Sequence, residues 1–368
     1  MSSHGFSRRH FLAGSALVTA GGFLAACNSG ASSTTESSAS TEAKDKNKDK
    51  DKVDYKSISG KLVMLATGGT IASQKDATGA LVPTVSGEEL LKKVYEKFDK
   101  DKLSIEVRQV SQLDSSAMTL KDTDGILSQV HDTLKEDGVT GIIVSHGTDS
   151  MEETAIAIDT FLDADQPVVL TGSMFPFDDP DTDGPDNLTL AVTAATDPKN
   201  KGKGAFIAFG GKILRARGAY KMDASSKDGF DTNASGEIKR PKPLPLTKLE
   251  GTRVDIIAAY PGAPGELVKA AIDSGAKGLV IEGMGSGNVG GDIADAIVEV
   301  AEKGIPVVMS TRVDKGLVEG TYGGAGGGAT LAEKGVIGSG ILRPGQSRIL
   351  VVAALATGTD VKELFPQE

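Results

Sequence analysis

The sequence contains one cysteine, no tryptophan and four histidines among its 368 residues. The single cysteine, Cys27, excludes a disulfide within the chain and a metal site built from several thiolates. Aromatic residues make up only 4% of the chain, which leaves few side chains for stacking on bases or sugars. The formal net charge of −10 argues against a nucleic acid partner, because such a partner requires a basic surface.

The first 27 residues have the pattern of an export signal rather than of a folded element. Arg8 and Arg9 are followed by apolar residues, as in twin-arginine signals, and the apolar stretch 13–23 is too short for a permanent membrane span. The small residues 24–26 before Cys27 resemble a bacterial lipobox, in which the cysteine is acylated. We therefore predict an extracytoplasmic protein that is anchored to the membrane through a lipid on Cys27.

Residues 28–57 predict a disordered tether. This segment is rich in serine and threonine and then alternates lysine with acidic residues in KDKNKDKDK, so it has almost no apolar side chain to bury. The chain beyond it is long enough for two domains of moderate size. We predict an N-terminal domain over 58–240, a linker to about residue 252, and a C-terminal domain over 253–368.

Beyond the tether, apolar runs of strand length alternate with stretches of helical period. The predicted strands are 62–67, 103–110, 141–145, 167–171, 204–209, 254–260, 278–283, 306–311 and 348–355. Helices are predicted after Ser86, where Glu89 completes a capping box, and over 119–136 and 151–162, among others. Continuous apolar strands separated by helices indicate parallel sheets, so the predicted fold class is α/β with two parallel-sheet domains.

Four of the predicted strands are followed by polar segments. These segments are Thr67–Thr70, Asp114–Ser116, Ser145–Ser150 and Thr171–Met174. The carboxyl ends of parallel strands meet at one edge of a sheet, where open α/β proteins bind their ligands. The pattern predicts a hydroxyl-rich site at that edge.

A serine or threonine at this edge requires a base before it can act as a nucleophile. His131 falls inside a predicted helix, and His146 is either a general base or a structural residue bonded to the backbone; we favour the structural role. The base would then be a lysine–aspartate relay or a tyrosine. Asp149 is a candidate carboxylate for this relay, or an N-cap for the helix that follows.

No motif in the sequence indicates a cofactor or a metal. The turn at Gly68–Gly69 is compatible with phosphate binding, and GMGSGN (283–288) partly resembles a dinucleotide fingerprint but lacks its spacing. There is no HExxH motif and no cluster with metal-ligand spacing.

LVMLATGGTIAS and GIIVSHGTDSMEETA together resemble the two signatures of the bacterial L-asparaginase/glutaminase family. The resemblance extends from Lys61 to the C-terminus through TGSM, DGPDNL and GMGSGN, and the export signal resembles that of the type II enzymes. It implies a larger N-terminal and a smaller C-terminal α/β domain in a homotetramer. It also implies hydrolysis of L-asparagine, and possibly of L-glutamine, to the carboxylate and ammonia without metal or cofactor.

The resemblance assigns catalytic roles to four residues. Thr70, in the first signature, is the implied nucleophile and forms an acyl-enzyme that water resolves. Thr148 and Asp149, in the second signature, act with a lysine that positions or activates the attacking groups. Alignment of the family's lysine-containing stretch with TDPKNKGKG places this lysine at Lys199.

The resemblance also implies a clamp for a free amino acid. Asp149 would bind the α-ammonium group of the substrate and Ser115 its α-carboxylate, with Ser116 beside it. The sequence departs from the family at the loop tyrosine that helps to activate the nucleophile, since Ala80 or Leu81 occupies that position.

Two further positions leave the substrate preference open. Gly262 and Gly323 stand near the positions at which type II enzymes contribute a residue across a dimer. Two alternatives to an asparaginase remain: an amidohydrolase that prefers glutamine and, because the loop tyrosine is missing, a catalytically weak, lipid-anchored protein that binds amino acids.

Overall fold

The computed structural model describes residues 53–366. The N-terminal strands are β1 (Gly60–Gly68), β2 (Ser73–Lys75), β3 (Leu81–Pro83), β4 (Leu103–Leu113), β5 (Val139–Ser145), β6 (Val168–Thr171), β7 (Ala205–Phe209), β8 (Lys212–Arg215), β9 (Ala219–Lys221) and β10 (Phe230–Thr232). The N-terminal helices are α1 (Gly87–Tyr95), α2 (Leu120–Leu134), α3 (Met151–Phe161) and α4 (Gly184–Thr196). The C-terminal elements are β11 (Val254–Ala258), α5 (Glu266–Asp273), β12 (Gly278–Gly283), α6 (Gly291–Glu302), β13 (Val307–Thr311), α7 (Gly328–Glu333), β14 (Ile337–Gly338) and α8 (Pro344–Thr357).

The larger sheet has the strand order β4-β1-β5-β6-β7-β8, in which only β8 is antiparallel to its neighbour. β4 and β5 follow β1 in the chain but lie on opposite sides of it, so the direction of the connections reverses there. The space beyond the carboxyl ends of β1 and β5 is therefore the topological switch point, where open α/β sheets bind ligands.

Helices cover both faces of this sheet, which explains why its strands are apolar throughout. Leu90 of α1 and Leu188 of α4 pack in the core on one face, whereas Ile126 of α2 and Ile156 of α3 pack in the core on the other. The predicted helix starts are confirmed: Ser86 Oγ caps α1 by accepting from Glu89 N, and a capping box begins α2.

The smaller sheet is fully parallel, with the order β11-β12-β13-β14. Its outer face packs against α5 and α6. Its inner face packs against α8, which also contacts α3 of the N-terminal part within one continuous core. The predicted fold of two parallel-sheet α/β domains, the first larger than the second, is confirmed.

The predicted strand 348–355 is wrong, because these residues lie within helix α8. Pro344 begins the helix at a position where its missing N–H is not needed, and Gly358 ends it with a left-handed φ of 72°. Since α8 is buried between the C-terminal sheet and α3, it is apolar on nearly every side. Periodicity cannot distinguish such a helix from a buried strand.

Residues 230–232, inside the predicted N-terminal domain, form β10, which pairs antiparallel with β9. From there to residue 252, across the whole predicted linker, the chain has no helix or strand.

The predicted tether ends earlier than residue 57. Tyr55–Ser57 forms a 3₁₀ turn, and the ring of Tyr55 packs edge-on against Phe98 with centroids 5.7 Å apart. Lys56 Nζ donates to the carbonyls of Glu96 and Phe98 at 2.9 and 2.7 Å. The export signal, Cys27 and the rest of the predicted tether lie outside the described residues.

Candidate active site

The turn after β1 brings Thr70 to the switch point. Gly68 and Gly69 have φ angles of 109° and 78°, which side chains with a Cβ rarely adopt. A Cβ on Gly69 would also overlap the backbone of Gly147, which follows β5. Thr70 and Thr148 each follow one of these two touching glycines, so the two predicted catalytic threonines lie at neighbouring positions on the same edge.

Thr70 begins a short 3₁₀ turn that ends at Ala72. It is partly exposed, and its hydroxyl makes no hydrogen bond within residues 53–366. A hydroxyl without a partner at a switch point is free to reach a bound ligand. The neighbouring Thr67 differs, because its buried hydroxyl donates to Ser145 O at 2.9 Å and ties the end of β1 to that of β5.

Thr148 and Asp149 share a lysine that comes from a different sheet. Lys221, the last residue of β9, donates from Nζ to Thr148 Oγ1 at 2.9 Å and to Asp149 Oδ1 at 2.7 Å. Thr148 is buried, whereas the side chain of Asp149 is 59% exposed. The arrangement is a hydroxyl–amine–carboxylate relay whose carboxylate remains open to a ligand.

The structure does not bring the predicted catalytic lysine, Lys199, to Thr148 and Asp149. Lys199 is exposed in the 3₁₀ turn Pro198–Asn200, and its backbone N–H donates to Asp197 Oδ1 at 2.9 Å. This turn precedes β7, and the site lies at the carboxyl ends of the parallel strands. Lys199 is therefore at the opposite edge of the sheet from Thr148.

Sequence reasoning misses Lys221 because this residue follows an antiparallel strand rather than a parallel one. β8 reverses at the edge of the main sheet, and the chain then forms β9, whose partner among the described strands is β10. The available signal is a lysine at the end of a second short extended run, ILRARGAYK, beyond the predicted strand at 204–209.

Ser115 lies against both signature segments. Its hydroxyl accepts from Asp149 N at 3.0 Å, and its carbonyl accepts from Ser150 Oγ at 2.8 Å. A Cβ on Gly147 would lie 2.5 Å from Ser115 Oγ, so Gly147 has to be a glycine for this serine to approach. A hydroxyl that accepts one bond still has its own hydrogen to donate, which suits it to a carboxylate ligand.

Ser116, predicted beside Ser115 in the substrate clamp, takes no part in these hydrogen bonds. Ser116 is exposed and makes no side-chain hydrogen bond to any other described residue. Of the two serines, only Ser115 is built into the site.

His146 is fully buried, and its Nδ1 donates to Gly147 O at 2.7 Å. Burial lowers the pKa of its imidazole to about 4, because the charged form loses its hydration. The ring is therefore neutral near pH 7 and has no access to a ligand. Its geometry agrees with the structural role that the sequence favours over a general base.

The fourth polar segment supports the site instead of joining it. Thr171 Oγ1 donates to Ala208 O at 2.8 Å, and its carbonyl accepts from His146 N at 2.8 Å. The Asp183 carboxylate accepts from the backbone N–H groups of Met174 and Phe175, both at 3.0 Å. These bonds pair the polar groups of this segment with other groups of the protein rather than with a ligand.

The departure at the family's loop tyrosine persists in the structure. The hairpin β2–β3 has no tyrosine; Ala80 is exposed in its turn, and Leu81 is 46% exposed. Gly262 and Gly323 lie in C-terminal loops, where a Cβ added to either glycine would meet no described atom within 4 Å. Among the described residues, no three His, Cys, Asp or Glu side chains are grouped so that they could hold a metal ion.

One carboxylate beside the relay has an unusual titration. Glu152 Oε2 accepts from Lys221 N at 2.6 Å. Burial, with a smaller contribution from the charge of Glu153, raises the pKa of Glu152 to about 7, although the hydrogen bond from Lys221 N and the charges of Lys221 and Arg343 oppose the shift.

Two family models match the chain over most of its folded part. The model described as "Asparaginase, N-terminal" matches residues 61–243, and the model described as "Glutaminase/Asparaginase C-terminal domain" matches residues 253–365. The chain is 33% identical to an L-asparaginase of Bacillus licheniformis over 298 residues, which cover 75% of this chain and 89% of the relative. It is 32% identical to L-asparaginase 2 of Bacillus subtilis over 323 residues, which cover 82% and 84%.

A solved structure is similar throughout the folded part. The crystal structure of a probable cytoplasmic L-asparaginase from Campylobacter jejuni has a TM-score of 0.73 and 30% identity to this chain. The match covers 83% of this chain and 98% of the Campylobacter chain.

The predicted location is corrected by this comparison. The Campylobacter structure is described as a probable cytoplasmic enzyme, which contradicts the extracytoplasmic, lipid-anchored location predicted from residues 1–27. None of the helices within residues 53–366 is long and apolar enough to cross a bilayer.

Proposed function

The chain belongs to the bacterial asparaginase/glutaminase family, and from this premise we propose that it hydrolyses L-asparagine to L-aspartate and ammonia. The observation that carries the proposal is the contact of Lys221 Nζ with both Thr148 and Asp149, next to the turn that carries Thr70. Two hydroxyls, an amine and a carboxylate at one edge of the sheet are the groups that amide hydrolysis without a metal requires.

Substrate binding uses polar groups of two adjoining residues, Asp149 and Ser115. The exposed carboxylate of Asp149 binds the α-ammonium group, and the Ser115 hydroxyl donates to the α-carboxylate. Since Asp149 N already donates to Ser115 Oγ at 3.0 Å, the backbone of Asp149 is tied to the hydroxyl that binds the α-carboxylate. This clamp selects a free amino acid over an amide within a peptide.

Acylation begins with attack of Thr70 Oγ1 on the side-chain amide carbon. The C–N bond breaks, the nitrogen leaves as ammonia with the proton that Thr70 loses, and an ester to Thr70 remains. Attack of water on this ester then releases aspartate and returns a proton to Thr70. We assign Thr148 and Lys221 to the transfer of protons during these steps, because their side chains are hydrogen-bonded at 2.9 Å.

The substrate itself changes the relay. Its ammonium group competes with Lys221 Nζ for the carboxylate of Asp149, which holds that amine at 2.7 Å in the free enzyme. Binding therefore weakens the ion pair at Lys221 and leaves its amine oriented toward Thr148. The relay becomes competent for proton transfer when a ligand with a free α-ammonium group is present.

The test is ammonia release by the purified full chain from L-asparagine and, side by side, from L-glutamine. We expect saturable release from asparagine with the larger kcat/KM. A larger kcat/KM on glutamine would instead assign the chain to glutamine hydrolysis. Calorimetric binding of asparagine without any release of ammonia would overturn the enzymatic proposal in favour of an amino-acid-binding protein, an alternative that the missing loop tyrosine at Ala80 or Leu81 raises.

We propose in addition that the chain forms a homotetramer, as the family resemblance implies. The C-terminal domain exposes several large apolar side chains, among them Tyr322 at 62% and Tyr260 at 45%, which association would cover. Sedimentation equilibrium of the full chain should give four times the chain mass of 37.9 kDa. A monomer at micromolar concentration would contradict the proposal.

A further inference from the structure

The backbone of Lys221 has little support from its own sheet. β9 is three residues long, and its partner among the described strands is the equally short β10. Isolated two-stranded pairs of this length are marginally stable. Since the Nζ of Lys221 must stay within hydrogen-bond distance of Thr148 and Asp149, some other group has to hold this strand in place.

Glu152 supplies such a contact. Its Oε2 accepts from Lys221 N at 2.6 Å, and it lies in the first turn of α3, three residues after Asp149. Lys221 thus binds the short segment 148–152 twice. Its Nζ contacts Thr148 and Asp149, and its backbone N–H contacts Glu152.

A second contact comes from the C-terminal domain. Gln346, fully buried in the first turn of α8, accepts from Gly218 N at 3.0 Å and donates to Ala216 O at 2.7 Å. These residues lie in the loop that leads into β9. The same amide donates to the backbone carbonyl of Glu152 at 3.3 Å, so one side chain joins α8, the loop and the start of α3.

We propose that Glu152 is a positioning residue, whose carboxylate oxygen fixes the backbone of Lys221 so that the amine reaches Thr148 and Asp149, with Gln346 holding the preceding loop. This inference rests on the proposed function for its kinetic consequence but not for its structural one. Glu152 acts through Lys221 and does not touch the substrate. Its acceptor oxygen is the essential feature, so an uncharged acceptor of the same shape should serve nearly as well.

The matched pair Glu152→Gln and Glu152→Met tests this role. Both substitutions keep the length of the side chain, but only glutamine keeps an oxygen that can accept from Lys221 N. We expect the methionine variant to lose at least about tenfold in kcat for asparagine, and the glutamine variant to stay within about threefold of the wild type. Equal losses in the two variants, or a methionine variant with wild-type kcat, would overturn the proposal.

A second measurement is independent of catalysis. Hydrogen–deuterium exchange at the Lys221 amide should be at least about tenfold faster in the methionine variant and unchanged in the glutamine variant. An amide with equal protection in both variants would refute the contact even if the chain released no ammonia.

A third variant keeps the proposal testable if the methionine protein does not fold. Gln346→Glu retains the acceptor for Gly218 N but loses the donor to Ala216 O, so exchange at the Gly218 and Lys221 amides should be faster than in the wild type. Glu152→Gln is its control and should leave exchange at both amides unchanged. Wild-type exchange in Gln346→Glu, or faster exchange in Glu152→Gln, would overturn the proposal.

Discussion

The carboxyl ends of β1 and β5 belong to central strands of a six-stranded sheet. Lys221 instead comes from β9, a short strand that pairs with β10 outside that sheet. At the main-sheet edge the polar groups are fixed by buried bonds, such as Thr67 to Ser145 and His146 to Gly147. The β9–β10 hairpin instead depends on side chains from other elements, Glu152 and Gln346. The comparison shows that the two halves of one site are held by different means.

Removing the proposed nucleophile, Thr70, from the main-sheet edge should have the largest effect. Thr70→Ala deletes the attacking hydroxyl without altering the turn, so we expect kcat/KM for asparagine to fall at least about 10³-fold, or about 4 kcal/mol. Steady-state ammonia release measures the loss, and Thr70→Ser is the control that keeps a hydroxyl. An alanine variant with normal turnover would remove the main-sheet edge from the chemistry.

Substitution of Lys221 and of Lys199 tests whether the β9–β10 hairpin or the opposite edge of the main sheet supplies the lysine of the site. Lys221→Met removes the amine from Thr148 and Asp149 and should lower kcat by about 10²- to 10³-fold, or about 3–4 kcal/mol. Lys199→Met, at the other edge of the sheet, is the matched control and should stay within about twofold. A larger loss of kcat in Lys199→Met than in Lys221→Met would support Lys199 as the catalytic lysine, as predicted from the sequence.

His146, at the main-sheet edge, should make the free energy of unfolding depend on pH. Its pKa is lowered to about 4 in the folded state against 6.5 for the free side chain, so unfolding takes up a proton between these values. Stability is then complete above pH 6.5 and decreases as the pH falls toward 4, by about 3 kcal/mol in total.

Urea unfolding of wild type and His146→Asn between pH 7 and 4 measures this contribution. The asparagine side chain of this variant keeps a donor for Gly147 O but does not titrate. The free energy of unfolding of His146→Asn should therefore fall less steeply than that of the wild type as the pH is lowered. Parallel curves for the two proteins would show that the histidine is not buried in its neutral form.

The smallest effect is expected at the substrate clamp. Ser115→Ala removes one donor to the α-carboxylate and should raise KM by about tenfold, or about 1.4 kcal/mol, with a smaller change in kcat. Ser116→Ala is the control, because Ser116 is exposed and unbonded within the described chain. Similar KM values for the two variants would place carboxylate binding elsewhere.

Much of the main-sheet edge could be predicted because its signals are local. An apolar strand followed by two glycines and a threonine specifies a strand, a turn and an available hydroxyl within one short segment. The same holds for Ser145–Ser150. The helix α8 was not predictable from its apolar run, since burial on all sides removes the periodicity by which a helix is recognised.

The sequence by itself determined the alternation of strands and helices and the two turns after β1 and β5, and it predicted roles for Thr70, Thr148, Asp149 and Ser115, because each depends on residues close together in the chain. Only the tertiary structure decided which lysine completes the site. Lys221 reaches Thr148 across 73 positions of sequence through an antiparallel hairpin, held by Glu152 and Gln346. The closure of so long a loop depends on packing between distant segments, which no local pattern records.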